Sequence, residues 1–152
     1  RELPAVFTTP ELPRGVSDVR VFCRGCLVVG GPPSQTDPDL AARVASHRAF
    51  EGWPLVVLTD EPARAVLSDM NFLWTTFTRF EPAADIYAAS TRVVRNHVVY
   101  TAPVVIDART APGFPDELTC RPDIAARVTD RWTEYFPGGG VEMGDSERGH
   151  LD

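Results

Sequence analysis

Between Trp53 and Asp85 the chain reads WPLVVLTDEPARAVLSDMNFLWTTFTRFEPAAD, and this stretch constrains the fold more than any other. Leu55 to Leu58 is a continuous apolar run bounded by Pro54 and Asp60, the pattern of a strand buried on both faces. Asp60, Glu61 and Pro62 make a helix start, with an acid to cap and a proline at the first helical position. Ala63, Val66, Leu67 and Met70 then recur at helical spacing. Phe72 to Phe80 is rich in aromatic and β-branched residues and predicts a second strand. Its alternation puts Phe72, Trp74, Thr76, Thr78 and Phe80 on one face and Leu73, Thr75, Phe77 and Arg79 on the other. The expectation is a β-α-β unit with parallel strands.

The flanking segments extend that unit. Residues 1–17 contain three prolines and read as an entering arm that packs on the domain, with a short strand at Ala5 to Thr8. Asp18 to Val29 alternates and then becomes wholly apolar, which predicts one strand, bulged at Gly25. After the Gly30 to Pro33 turn, Thr36 or Asp37 caps a helix with Pro38 in its first turn, and Leu40, Ala41, Val44, Ala45 and Arg48 mark its stripe. Beyond Asp85, Arg92 to Tyr100 and Val104 to Asp107 are β-rich and separated by Pro103, and residues 108–121 read as a loop. Ile124, Val128, Trp132, Tyr135 and Phe136 predict an amphipathic helix over Pro122 to Phe136 whose aromatics bury against the sheet or a partner. The resulting division is an arm at 1–17, one α/β domain at 18–137 and a flexible polar tail at 138–152.

Composition removes several classes of chemistry. All 15 basic residues are arginine, so Schiff-base catalysis, a lysine general base and a Walker-type lysine are excluded. A net charge of −6 argues against nucleic acid or an anionic membrane as partner. No apolar run approaches the roughly 20 residues of a membrane helix, and the N-terminal residues lack signal-peptide character, so a cytoplasmic location is expected.

Cys23 and Cys26 form a C-x-x-C. A structural zinc site needs about four ligands, and Cys120, His47, His97 and His150 lack zinc-like spacing. A thioredoxin-like pair belongs at a helix start rather than in a strand. Small buried side chains are the alternative to both. No histidine stands at triad spacing from a nucleophile and an acid, and neither G-x-G-x-x-G nor a P-loop occurs. Arg79 and Asp85 leave two readings open. Arg79 is either a core-edge cation paired with Asp85 or Asp60, or a ligand-facing group at a strand end, where open α/β sheets place their sites.

A strand ending in LVVLTDEP, a helix, then LWTTFTRFEPAAD, VVIDART and a helix closing on DRWTEYF follow in that order. This succession resembles the C-terminal domain of the UbiD family of decarboxylases, over roughly Asp18 to Pro137. Its most specific part is W-x-x-x-T-R-x-x-P-x-x-D at Trp74 to Asp85. The resemblance implies a three-layer α/β/α sandwich with a mixed, largely parallel sheet. It also implies a role in reversible non-oxidative decarboxylation of unsaturated or aromatic acids with prenylated FMN. In such enzymes a larger preceding domain holds the flavin and a Glu-Arg-Glu set, and a lysine lies near the cofactor. Neither that domain nor that set is in this sequence, and Ser34 to Thr36 occupies the lysine region.

The resemblance therefore implies a small subunit with no catalytic residue of its own, working with a flavin-bearing large subunit in a homo- or hetero-oligomer. It implies substrate-lining positions two and four residues after the Trp, here Thr76 and Thr78, with Leu40 as a looser third, while Arg79, Asp85 and Asp60 stay structural or site-edge charges on the chemistry given above. The two hydroxyls imply a hydroxylated substrate. A non-catalytic assembly or regulatory subunit, and more distantly a C-x-x-C redox or metal module, are the alternatives.

Overall fold

The computed structural model describes residues 2–8, 11–115 and 121–141. The chain divides into two compact units, residues 1–114 and 115–152.

The first unit is a five-stranded mixed sheet in the order β1-β2-β3-β5-β4. Its strands are β1 (Asp18–Cys23), β2 (Cys26–Gly30), β3 (Leu55–Thr59), β4 (Ile86–Val94) and β5 (His97–Asp107). The central three, β2, β3 and β5, run parallel; β1 and β4 are antiparallel edges. Its helices are α1 (Leu40–Ser46), α2 (Pro62–Ala65) and α3 (Asp69–Arg79).

Strand alternation sorts the core into two layers. Leu27, Val29, Val56, Leu58 and Val105 pack with Leu40 and Val44 of α1 and with Phe50 and Trp53. Val28 and Val57 point the other way, to Ala65 of α2, with Phe22, Val66 and Phe72 packed against them. The expected three-layer α/β/α sandwich with a mixed, largely parallel sheet is present. The arm also packs as expected, through Phe7, which stacks on Phe50 at 5.9 Å. Its residues 5–8 form no strand.

Several expected elements differ. Asp18 to Val29 is a hairpin, not one bulged strand: Arg24 and Gly25 turn the chain, Gly25 at φ +80°, where a residue with a side chain is strained. Arg92 to Tyr100 is likewise a turn between two strands, with Arg95 and Asn96 both at positive φ, as a two-residue hairpin loop requires. Pro103, expected to separate strands, lies within β5 after a cis Ala102–Pro103 bond.

The largest correction concerns Phe72 to Phe80, which is helical as far as Arg79. Ser68 caps α3 by accepting from the Asn71 amide at 3.1 Å, and Asp69 sits in the first turn, where the helix dipole favours an acid. β3 is followed by two helices rather than by a helix and a parallel strand. The parallel β-α-β unit is the preceding one, β2-α1-β3.

In the second unit, α4 (Pro122–Asp130) and α5 (Trp132–Tyr135) replace the single helix expected over Pro122 to Phe136. Most of the expected tail, residues 142–152, and Cys120 lie outside the described residues. Among the described residues no helix is long and apolar enough to cross a membrane.

Candidate functional site

The parallel strands β2, β3 and β5 end at one edge of the sheet, and the polar side chains of the first unit converge there. Asp60 follows β3 directly. Its Oδ1 accepts from Arg79 Nη1 at 2.7 Å, and its Oδ2 accepts from the Thr110 amide at 3.3 Å and from the Thr110 hydroxyl. Arg79 Nη2 donates to Glu61 Oε2 at 2.6 Å, and Arg64 Nη1 donates to the same carboxylate at 3.3 Å. The Arg79 side chain is 6% exposed. A guanidinium so removed from water is stable only when paired, and Asp60 and Glu61 pair it. Of the two partners the sequence left open, Asp60 is the one found. Asp85 instead accepts from the Glu81 amide at 2.7 Å.

Beside this cluster Arg109 is fully buried. It grips the Asp107 carboxylate through Nε at 2.8 Å and Nη2 at 2.7 Å, and Nη1 donates to the carbonyls of Pro32 and Asp37 at 3.1 and 2.9 Å. The loop leaving β2 is thus tied to the end of β5. Gly31 lets α1 pack closely on the end of β2, since a Cβ there would stand 2.5 Å from Leu40 Cδ2. Arg109 and Asp107 carried no candidate role in the sequence; the signal available was the VVIDART motif at the end of a strand.

Helix α3 rises from this edge with its polarity reversed. Asn71, Thr75 and Thr76 face inward, while Met70, Leu73, Trp74 and Phe77 are between 41% and 59% exposed. Those four recur at i, i+3, i+4 and i+7, so they form one stripe along the helix. Three contacts fix this orientation: Phe72 stacks on Phe22 at 3.9 Å, Asn71 Nδ2 donates to the Arg64 carbonyl at 3.2 Å, and Arg79 anchors the last turn.

The sequence placed Thr76 and Thr78 on one face, and the helix separates them, because residues two apart on a helix point roughly 200° apart. Thr76 is 1% exposed, and its Oγ1 has no hydrogen-bond partner among the described residues. Thr78 is exposed at the margin of the apolar stripe, its hydroxyl donating to the Trp74 carbonyl at 2.7 Å with its lone pairs outward. Leu40 is wholly buried in the core cluster of α1. Of the three candidate lining residues, only Thr78 faces outward from the domain.

The C-x-x-C is a cross-strand pair. Cys23 and Cys26 oppose each other over the Arg24–Gly25 turn, Cys23 exposed and Cys26 buried. Burial, then the neighbouring Cys23, pushes the Cys26 thiol up to about 12, opposite to the shift of a redox nucleophile. Among the described residues no three His, Cys, Asp or Glu side chains are placed to hold a metal. His47 accepts from the Ala49 amide at 3.2 Å, a structural role. An open depression of about 630 Å³ near Leu3, Arg48, Glu51 and Pro54 lies at the opposite end of β3 from Asp60.

Chemically, the edge cluster is a set of compensated charges. Arg79, Arg64 and Arg109 face Asp60, Glu61 and Asp107. What the cluster does is hold α3 and the β2–α1 loop rigidly, presenting an apolar stripe with one hydroxyl at its margin.

No family profile matches the chain. It is 34% identical over 137 residues, 90% of its own length, to a 4-hydroxybenzoate decarboxylase subunit of Chlamydia pneumoniae. The resemblance to a domain of the UbiD-type decarboxylases is borne out. An uncharacterized protein of Chlamydia trachomatis serovar D is 38% identical over 138 residues. The chain spans 23% of the length of these curated relatives and matches one stretch of each. A vanillic acid decarboxylase structure from Sedimentibacter hydroxybenzoicus, in open form, aligns with 75% of this chain and 28% of its own. The TM-score is 0.43 at 17% identity, and the fold rests on the sheet described above rather than on that alignment.

Proposed function

We propose that this chain is the small, substrate-facing part of a UbiD-type decarboxylase/carboxylase acting on a hydroxylated aromatic or unsaturated carboxylic acid. A flavin-bearing large subunit brings prenylated FMN, which supplies the covalent chemistry at the α-carbon, together with the acid-base residues. This chain contributes the wall of the pocket and a docking face, within a cytoplasmic complex. The observation that carries the reading is the exposed stripe of Met70, Leu73, Trp74 and Phe77, which runs into the motif with the most specific family likeness, Trp74 and Phe77 lying inside it. An apolar stripe held outward by a buried Arg79 and an inward-facing polar face is what a wall closing on a second domain requires. Thr78 at its margin offers lone pairs to a substrate hydroxyl.

The relatives carry the matched stretch within chains about four times as long. This favours a second reading, in which the flavin domain belongs to the same polypeptide. The role of α3 is the same in both.

The test is reconstitution. The chain is combined with a UbiD-type flavin domain loaded with prenylated FMN, and release of CO2 from 4-hydroxybenzoate and benzoate is measured. Activity is expected only in the mixture, with a preference for the hydroxylated acid. Stoichiometric flavin retained by this chain alone after desalting, or no gain on mixing, would defeat the proposal.

A further inference from the structure

The turn that joins β1 to β2 sets two thiols against each other. Cys23 and Cys26 are register partners at its mouth, with Arg24 and Gly25 between them. Residues directly opposed on antiparallel strands stand about 4.5–5.5 Å apart between Cα atoms and project from the same face. A disulfide spans about 4.4–6.8 Å between Cα atoms, so neither strand has to move for one to form. The turn is also held from both sides: the Gly25 amide donates to the Pro4 carbonyl at 2.8 Å, and the Gly25 carbonyl accepts from the Leu55 amide at 3.1 Å. The two sulfurs are therefore kept at short range instead of meeting by chance.

Their surroundings differ. Cys23 is exposed, whereas Cys26 is 5% exposed and is kept protonated by burial and by the neighbouring Cys23. An oxidant in solution meets Cys23 first and reaches Cys26 only through it. β1 itself is an edge strand paired with β2 alone, and its Phe22, next to Cys23, stacks on Phe72 of α3.

We propose that Cys23 and Cys26 form an oxidative modification site, at which a hydroperoxide oxidises Cys23 and Cys26 then closes a disulfide that clamps β1 to β2. The Cys23 thiolate attacks one peroxide oxygen and the O–O bond breaks, leaving Cys23 as a sulfenic acid. The Cys26 sulfur then attacks the Cys23 sulfur, the S–O bond breaks, and the departing hydroxide leaves as water with the Cys26 proton. With hydrogen peroxide, two thiols are oxidised to one disulfide and the peroxide is reduced to two waters. A thiol of high pKa is slow to ionise but is the stronger nucleophile once ionised, which suits Cys26 to this second step. The bond closes the hairpin beneath the Phe22–Phe72 stack, and a dithiol reductant reopens it. The proposal does not depend on the decarboxylase reading.

Treating the 152-residue chain with hydrogen peroxide tests it. The intact monomer should lose about 2 Da and regain it with a dithiol. Because Arg20, Arg24 and Arg43 are tryptic sites, peptides 21–24 and 25–43 should stay joined after digestion only in the oxidised chain. Cys26→Ser should leave a Cys23 sulfenic acid that a 1,3-diketone traps, and Cys23→Ser should leave Cys26 unoxidised at the same dose. Hydrogen exchange of the β1 amides should slow about tenfold on oxidation, since the closed loop resists local opening of the edge strand. A link from either cysteine to Cys120 or to a second copy, a Cys23 that stops at an oxyacid in the wild-type chain, or unchanged exchange in β1 would overturn the proposal.

Discussion

Thr76→Val should make this protein more stable. The side chain is 1% exposed, and its Oγ1 has no hydrogen-bond partner among the described residues. A hydroxyl in that position has lost its water without recovering a bond, at a cost of about 1–3 kcal/mol. Valine keeps the β-branched shape and a similar helix propensity, so neither packing nor α3 is otherwise disturbed. The expected gain is about 1–2 kcal/mol, which for a chain of this size raises Tm by roughly 2–8 °C. Thr78→Val is the control. Its hydroxyl is exposed and makes only the bond to the Trp74 carbonyl, so the change should stay within about 0.5 kcal/mol. Urea and thermal unfolding of both variants decide the matter. A loss of 1 kcal/mol or more in Thr76→Val would mean that the hydroxyl has a partner, and the geometry assigned to the inner face of α3 would be wrong.

Arg79→Ala should cost about 3–5 kcal/mol, measured by urea unfolding, because it strands Asp60 in a nearly closed site. Phe77→Ala and Leu73→Ala should leave the unfolding free energy within about 1 kcal/mol of its original value while weakening reconstitution with the flavin domain, since both side chains are exposed in the domain alone. In the complex, Thr78→Val should lower kcat/KM for a hydroxylated acid by roughly 2–10-fold relative to the plain acid. In a Cys120→Ser background, Cys23 should react with a thiol reagent at pH 8 well before Cys26, whose burial leaves about one thiolate in ten thousand at that pH; equal rates would contradict the burial.

The parts legible in the sequence were those where local pattern and tertiary burial agree. Leu55 to Thr59 and Leu40 to Ser46 announced themselves because an apolar run and a helical stripe each met the core as their periods imply. Phe72 to Phe80 did not, because its threonines and aromatics favour strands by composition. Its spacing, however, from Ser68 as cap through Met70, Leu73, Trp74 and Phe77, is that of a helix. Its apolar stripe faces out and its polar stripe faces in, so burial gave no help in choosing. The two hairpin turns were concealed in the same way, since Arg24–Gly25 and Arg95–Asn96 each interrupt a run that is β-rich on both sides. For the site, the pairing of Arg79 with Asp60 could be anticipated from charge, but the face that Thr76 takes depends on the identity of the element.

The grip of Arg109 on the carbonyls of Pro32 and Asp37 reads main chain and not side chains. The loop from β2 to α1 is therefore anchored irrespective of which residues fill most of its positions. Gln35 and Thr36, held near the sheet edge without being part of the anchor, can be exchanged at little cost to the fold. Natural drift or a combinatorial library can remodel that rim while the scaffold beneath it stays fixed.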